Sequence, residues 1–269
     1  MSFDQFLREA APSLGLQWRP FQRRGIKRKI EQRIVQIGLF GFEDYLLKIR
    51  SDPAEFNHLS KILTVTISRF FRDQEVFNAI GASLLPMIAK KRDRVDLKIW
   101  SIGCASGEEP YAFSLLWKEK FQKIWPQIDL SILATDINEN LLARAREGRY
   151  KKSSLREVPE DILGSYFRMD KEFYILERSI REGVEFARHD ILHEEPFRGM
   201  DIIFCRNLAF TYFSKETQIN VLKKIATSLR GEGHLVIGKN ESLPLVYPTL
   251  FVPIFPTEKI YKKFSHKLS

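Results

Sequence analysis

Residues Ile99–Ala112 read IWSIGCASGEEPYA, and the change of character within this stretch decides the fold. An apolar run reads as a strand, a turn of small residues follows, and a helix then opens with two acids and a proline. Gly103 and Gly107 can adopt backbone angles closed to other residues and let a ligand approach the main chain, while Pro110 suits a first helical turn. Glu108 and Glu109 stand where a cationic ligand group could pair, and they would repel a phosphate. No Lys-Ser or Lys-Thr follows the glycines, as a P-loop requires. The implied ligand has a cationic tail, and S-adenosylmethionine, with an ammonium and a sulfonium, meets that description. The alternative is a glycine turn that only packs the sheet.

Downstream, Ile132-Leu133-Ala134-Thr135-Asp136 is a short apolar strand ending in an acid, with a helical stretch from Asn138 to Arg146. Ligands of open α/β sheets bind outside the carboxyl ends of the strands, where a carboxylate such as Asp136 can accept hydrogen bonds from both hydroxyls of an unphosphorylated ribose. Helix capping is the competing role, but Asn138 is placed to cap and leaves Asp136 for a ligand. Asp201-Ile202-Ile203-Phe204-Cys205 reads as a buried strand whose end delivers Arg206, Asn207 and Leu208, all expected to face the cofactor. Before Leu97, short helices are expected over Phe42–Leu47, Phe56–Leu63 and Phe70–Ile80, with a connecting helix near Ala79–Arg94. After it, strands and helices alternate as in a parallel sheet. Short strands or turns are expected at Tyr166–Met169, Phe173–Leu176 and Val184–Phe186.

The 269 residues suffice for a catalytic domain and a small accessory one. No apolar run approaches the ~18 residues of a membrane span, and Met1–Gln17 lacks a secretory pattern. Cys104 and Cys205 are the only cysteines, which suits a reducing compartment, so a cytoplasmic protein is expected. The net charge of +9 is concentrated at Arg19, Arg23, Arg24, Lys27, Arg28, Lys29 and Arg33. Ile26, Ile30, Ile34 and Ile37 recur there at helical spacing, so one face packs and the other presents basic side chains. That face implies an acidic partner or is simply solvated. His58, His189, His193, His234 and His266 are scattered, and His189 and His193 fall on an apparent strand, so no metal site is expected.

Four blocks carry a more specific resemblance: TVTISRFFRDQEVF (Thr64–Phe77), WSIGCASGEEPY (Trp100–Tyr111), ATDINENLLARAREGRY (Ala134–Tyr150) and FCRNLAFTYF (Phe204–Phe213) with Gln218. In combination and order they resemble the CheR family, the chemoreceptor glutamate methyltransferases that use S-adenosylmethionine. The GHLVIGKNESL run from Gly233 resembles that family's late strand and Ser-Glu element. The resemblance implies an α/β fold: a Rossmann-like S-adenosylmethionine-dependent methyltransferase sheet with a small all-helical amino-terminal domain and a short β insertion. The expected boundaries are 1–80 for the helical domain and 81–269 for the methyltransferase domain, with a β-subdomain at about 158–186.

By the same resemblance, Thr66, Ser68, Arg72, Gly103, Glu108, Asp136, Asp190, Ile191, Asn207 and Leu208 contact the cofactor, with Glu108 on the methionyl ammonium. Arg72 and Tyr212 align the acceptor. Arg72, a permanent cation beside two aromatics, could instead form a structural ion pair. Three departures stand out. Thr66 replaces the family's usual Asn, Asp190 stands where many members have Asn, and Leu208–Phe213 is one residue longer than usual.

The implied partner is an acidic helical protein substrate, the chemoreceptor cytoplasmic domain, methylated on glutamate by a monomeric enzyme. In some family members a receptor's carboxyl-terminal peptide adds to an edge of the β-subdomain. Phe173–Leu176 is the only good edge candidate here, and a structural flap is favoured over peptide docking. A nucleic-acid methyltransferase is disfavoured, because Asn207 is not followed by two prolines and an aromatic and Cys205 is not preceded by proline. The other rival is a non-catalytic cofactor-sensing adaptor, against which the intact pocket residues argue.

Overall fold

The computed structural model describes residues 1–63, 68–90 and 96–264. They gather into two compact units, Met1–Thr66 with Leu208–Ile219 and Ile67–Asn207 with Asn220–Ser269.

The first unit is helical, with α1 (Phe3–Ser13), α2 (Arg24–Gln36), α3 (Phe42–Ser51) and α4 (Pro53–Leu63). A reciprocal capping box of Ser2 and Gln5 starts α1 by satisfying two otherwise orphaned backbone donors. Ile26, Ile30 and Ile34 form the buried stripe of α2. Arg33, grouped by sequence with the exposed basic side chains, does not belong there. Its Nε and Nη2 donate to Glu55 Oε1 and Oε2 at 2.9 and 2.6 Å, and the Tyr45 hydroxyl donates to Oε1 at 2.8 Å. Glu55 is 4% exposed, so the fork and the phenol together satisfy a buried carboxylate. In the carboxyl-terminal piece of this unit, Ala209–Tyr212 makes one helical turn. Buried Gln218 donates to the Phe213 carbonyl at 3.0 Å.

The second unit opens on a tight turn. The helix expected from Phe70 begins only at Gln74, because Phe71 (φ 51°) and Asp73 (φ 59°) are left-handed and the Arg72 carbonyl accepts from Arg206. From there α5 (Gln74–Ala79) passes through a wider turn, Ile80–Leu84, into α6 (Leu85–Lys90). Among the described residues ten strands follow: β1 (Asp96–Ile102), β2 (Asp129–Asp136), β3 (Arg149–Lys151), β4 (Phe167–Asp170), β5 (Phe173–Leu176), β6 (Val184–Arg188), β7 (Met200–Cys205), β8 (Leu229–Ile237), β9 (Phe251–Phe255) and β10 (Ile260–Lys263). The main sheet has the order β6-β2-β1-β7-β8-β10-β9. Its first five strands are parallel, and β10 and β9 close it antiparallel. Central β7 is buried at every position, as a strand covered on both faces should be. The chain runs outward from β1 to β2 and β6, then returns to pair β7 with the other edge of β1. This reversal opens a crevice at the carboxyl ends of β1 and β7. Helices α7 (Glu108–Lys120) and α8 (Glu139–Glu147) follow β1 and β2.

The β insertion is a separate three-stranded antiparallel sheet of order β3-β5-β4. Two expectations change here. Val184–Phe186 belongs to β6 of the main sheet, paired with β2, whereas Arg149–Lys151 supplies the insertion's third strand. Phe173–Leu176 is the central strand, bonded on both sides, so it offers no free edge to a peptide.

Candidate active site

The carboxyl ends of β1, β2, β6, β7 and β8 deliver the candidate residues. After β1 the chain doubles back sharply. Gly103 (φ 70°), Ala105 (φ 50°) and Gly107 (φ 86°) are all left-handed, a conformation that costs a non-glycine residue of order 1 kcal/mol or more. The Gly103 and Cys104 amides both donate to the Thr135 carbonyl, at 2.8 and 2.9 Å, which ties the turn to the end of β2. The Trp100 indole fixes the same strand end by donating to Thr135 Oγ1 at 2.9 Å. Gly107 serves packing rather than ligand approach. A Cβ there would come within 3.0 Å of Ala145 Cβ and Phe186 Cζ.

The two acids that open α7 have different fates. Glu109 accepts from Ser101 Oγ at 2.8 Å and from Arg206 Nη1 at 3.1 Å, so it is committed to the scaffold. Glu108 is 4% exposed, and its Oε2 is buried with no hydrogen-bond partner. Burial pushes its carboxyl above the ordinary value, against the opposing pull of its own backbone amide and the Ser68 and Ser154 hydroxyls. A buried carboxylate oxygen with nothing to bind is expensive, and a cationic ligand group removes that cost. This donor set fits the ammonium of S-adenosylmethionine.

At the end of β2, Asp136 Oδ2 accepts from the Ala105 amide at 3.0 Å and Oδ1 from the Asn138 amide at 2.9 Å. Asn138 Oδ1 caps α8 by accepting from Asn140, as expected, which separates the cap from Asp136. Burial raises the Asp136 pKa despite these bonds. The Ile137 amide also faces this carboxylate, whose four acceptor positions exceed these three backbone donors and leave capacity for a hydroxyl. Burial, reinforced by Asp136, Glu109 and Glu108, pushes the Cys104 thiol well up, so it stands as a small neutral residue rather than a nucleophile.

Past β6, Asp190 sits in a tight turn. Its Oδ1 accepts from the Leu192 amide at 2.9 Å and its Oδ2 lies 2.7 Å from His193 Nδ1. Burial tends to raise its pKa, but these partners together hold the carboxyl below its ordinary value. Ile191 is buried, and its carbonyl accepts from Lys224 Nζ at 2.9 Å together with those of Leu192 and Glu194. His189 packs edge-on against Trp100 and pairs through Nε2 with the Glu195 carbonyl. His193 thus has a specific carboxylate partner that the sequence did not suggest.

Arg206 does not face the cofactor crevice as a free cation. Its side chain is 2% exposed and gathers the Arg72 carbonyl, Asp73 Oδ2 (both 2.7 Å) and Glu109, while its guanidinium lies over Phe77. Its role is to hold the FFRD turn against α7 and β7. Asn207 follows in a left-handed conformation (φ 55°). Arg72 is half-buried on that turn, and Ser68 is half-buried just before it. Thr66 lies outside the described residues. Leu208 and Tyr212 belong to the helical unit, where the buried Tyr212 ring stacks on Phe21 with centroids 5.4 Å apart.

Sequence reasoning assigned no role to Glu241. It is 2% exposed, and its Oε2 accepts from the Asn207 amide at 2.8 Å and the Gly238 amide at 2.6 Å. The available signal was an acid just past an apolar strand end, the signature that singled out Asp136.

Residues 66–260 match the family described as CheR methyltransferase, SAM binding domain. The chain is 30% identical over 256 residues to a Pseudomonas putida protein named for the methyltransferase Cher3, covering 91% of this chain and 90% of that one. It is 29% identical over 238 residues to the chemotaxis protein methyltransferase of Listeria monocytogenes, covering 88% of each. An uncharacterized 104.1 kDa protein of Rhodobacter capsulatus is 29% identical over 221 residues, and the chain spans 23% of its length.

Proposed function

Since the chain belongs to the CheR methyltransferase family, we propose that it methylates glutamate carboxylates of chemoreceptor cytoplasmic helices, in the cytoplasm, forming methyl esters. The observation that carries the reading is the buried, partnerless Oε2 of Glu108 beside a glycine turn and the Asp136 carboxylate. S-adenosylmethionine, when bound, supplies a methyl group already activated by its sulfonium. Glu108 holds the ammonium and Asp136 the ribose hydroxyls, while Asp190, Ile191 and Asn207 border the crevice around the remaining part of the cofactor.

An ionised glutamate needs no general base, so the side chains contribute by positioning. As the ester forms, opposite charges on sulfonium and carboxylate disappear together, and excess stabilisation of the starting carboxylate would slow the step. Arg72 therefore aligns the acceptor and relays no proton. The exposed basic side chains of α2, among them Arg24, Lys27, Arg28 and Lys29, suit an acidic helix. Incubation with methyl-labelled cofactor and a receptor cytoplasmic fragment tests the reading. Label released as methanol in mild base is expected, and base-stable label would discard the carboxyl acceptor.

A further inference from the structure

We infer that Glu241 is a positioning residue for cofactor binding, acting through Asn207. The inference rests on the proposed function and extends it to a residue outside the expected contact set. Parallel strands β7 and β8 end in register, Cys205 beside Ile237, and the chain turns away from each. One oxygen of Glu241 accepts from the first turn at the Asn207 amide and from the second at the Gly238 amide. The Glu241 amide in turn donates to the Gly238 carbonyl at 2.9 Å, so the carboxylate is held on its own short turn. A single buried acceptor thereby staples two strand ends at the mouth of the sheet.

Asn207 is turned left-handed, a conformation open to asparagine but not fixed by it, and the bond from its amide to Glu241 holds it in that turn. Gly238 shows how closely the parts fit. A Cβ added there would meet Asn207 Nδ2 at 2.6 Å and Glu241 Oε2 at 2.8 Å. The Asn207 carboxamide therefore lies against the Gly238 backbone, in a place available only because residue 238 has no side chain. Glu241 keeps the backbone of Asn207 turned, and the turned backbone keeps the carboxamide in its slot. A cofactor that uses Asn207 then finds it already in place, without the ordering cost of a free loop.

Calorimetric binding of S-adenosylhomocysteine to the full chain tests this in a two-by-two set of parent, E241A, N207A and the double variant. In the parent background E241A is expected to weaken binding at least tenfold; in the N207A background it should cost little more. E241Q, which keeps an oxygen for the two amides, is expected to recover most of the loss. If E241A does not fold, E241D takes its place, since it keeps the charge but withdraws the oxygen by one methylene. Its expected loss is at least fivefold. Equal affinity in the parent and the Glu241 variant, or losses that multiply in full in the double variant, overturn the positioning role. A parent that binds no S-adenosylhomocysteine overturns the cofactor reading instead, a result the parent titration alone delivers.

Discussion

Neighbouring acids with the same formal charge are separated in role by their partners. Glu109 is spent on Ser101 and Arg206, and Glu108 is buried with an oxygen unmet. The folded-state pKa of Glu108 lies above its ordinary value of 4.5. Between those two values the folded chain holds more protons than the unfolded one, so the ligand-free protein loses stability as pH rises through that window. Cofactor affinity should run the opposite way, rising with pH as the carboxylate becomes available to an ammonium. Glu108→Gln is therefore expected to raise the melting temperature of the ligand-free protein above that window, and to weaken S-adenosylhomocysteine about tenfold or more, the scale of a charged hydrogen bond. Its affinity should also lose the pH dependence, and a variant titrating like the parent would remove Glu108 from the ammonium site. Arg72 is judged by the separation of activity from stability. If it aligns the acceptor, Arg72→Ala lowers methyl transfer at least about tenfold, or 1.4 kcal/mol, with little change in melting temperature. Activity within twofold of the parent, or a loss explained by unfolding, would leave the FFRD turn as a packing motif.

Among the elements, those with a sharp internal contrast were legible in the sequence. β1, β2 and β7 are apolar runs that stop at a glycine or a polar residue, and Asn138 marks the start of α8. β3 was not legible, because Arg-Tyr-Lys is too short and too charged to show a period, and only Tyr150 is buried. Nor could β5 reveal from its own residues that it is central, since its partners come from Arg149–Lys151 on one side and Phe167–Asp170 on the other. The commitment of Arg206 was hidden for the same reason, being set by Asp73 and Glu109, far away in the chain. Gly107 was legible as a turn glycine but not as a packing one. Its α7 entry is left-handed, and a Cβ would press on Ala145, Phe186 and Tyr111 at 3.0–3.1 Å. Gly107→Ala is expected to cost roughly 1–3 kcal/mol from strain and overpacking. Thermal unfolding should show this as a fall of roughly 2–12 °C. An unchanged melting temperature would mean that α7 and α8 reseat without penalty.

For the whole molecule, the net charge of +9 matters through its placement rather than its sum. The second unit spends several cations internally, with Arg206 on Asp73 and Glu109 and Arg230 on Asp96 and Asp201. In the helical unit Arg33 is likewise spent on Glu55, and removing it would strand a buried carboxylate, so it is a poor probe of surface charge. Lys27 and Arg28 are exposed on α2, and Lys27 pairs with the equally exposed Glu31 at 3.7 Å, a contact worth ~0.3–0.5 kcal/mol. Reversing both, Lys27→Glu with Arg28→Glu, should leave cofactor affinity and melting temperature near those of the parent. Repulsion of an acidic receptor helix should then raise KM for the receptor fragment at least about tenfold at low ionic strength, with kcat little changed. Added salt shortens the Debye length from ~30 Å at 0.01 M to ~8 Å at 0.15 M, so it should weaken the parent's receptor binding and spare or even improve that of the variant. If KM and its salt dependence stay the same in both proteins, the basic face is a solvated surface and the acceptor is recognised elsewhere.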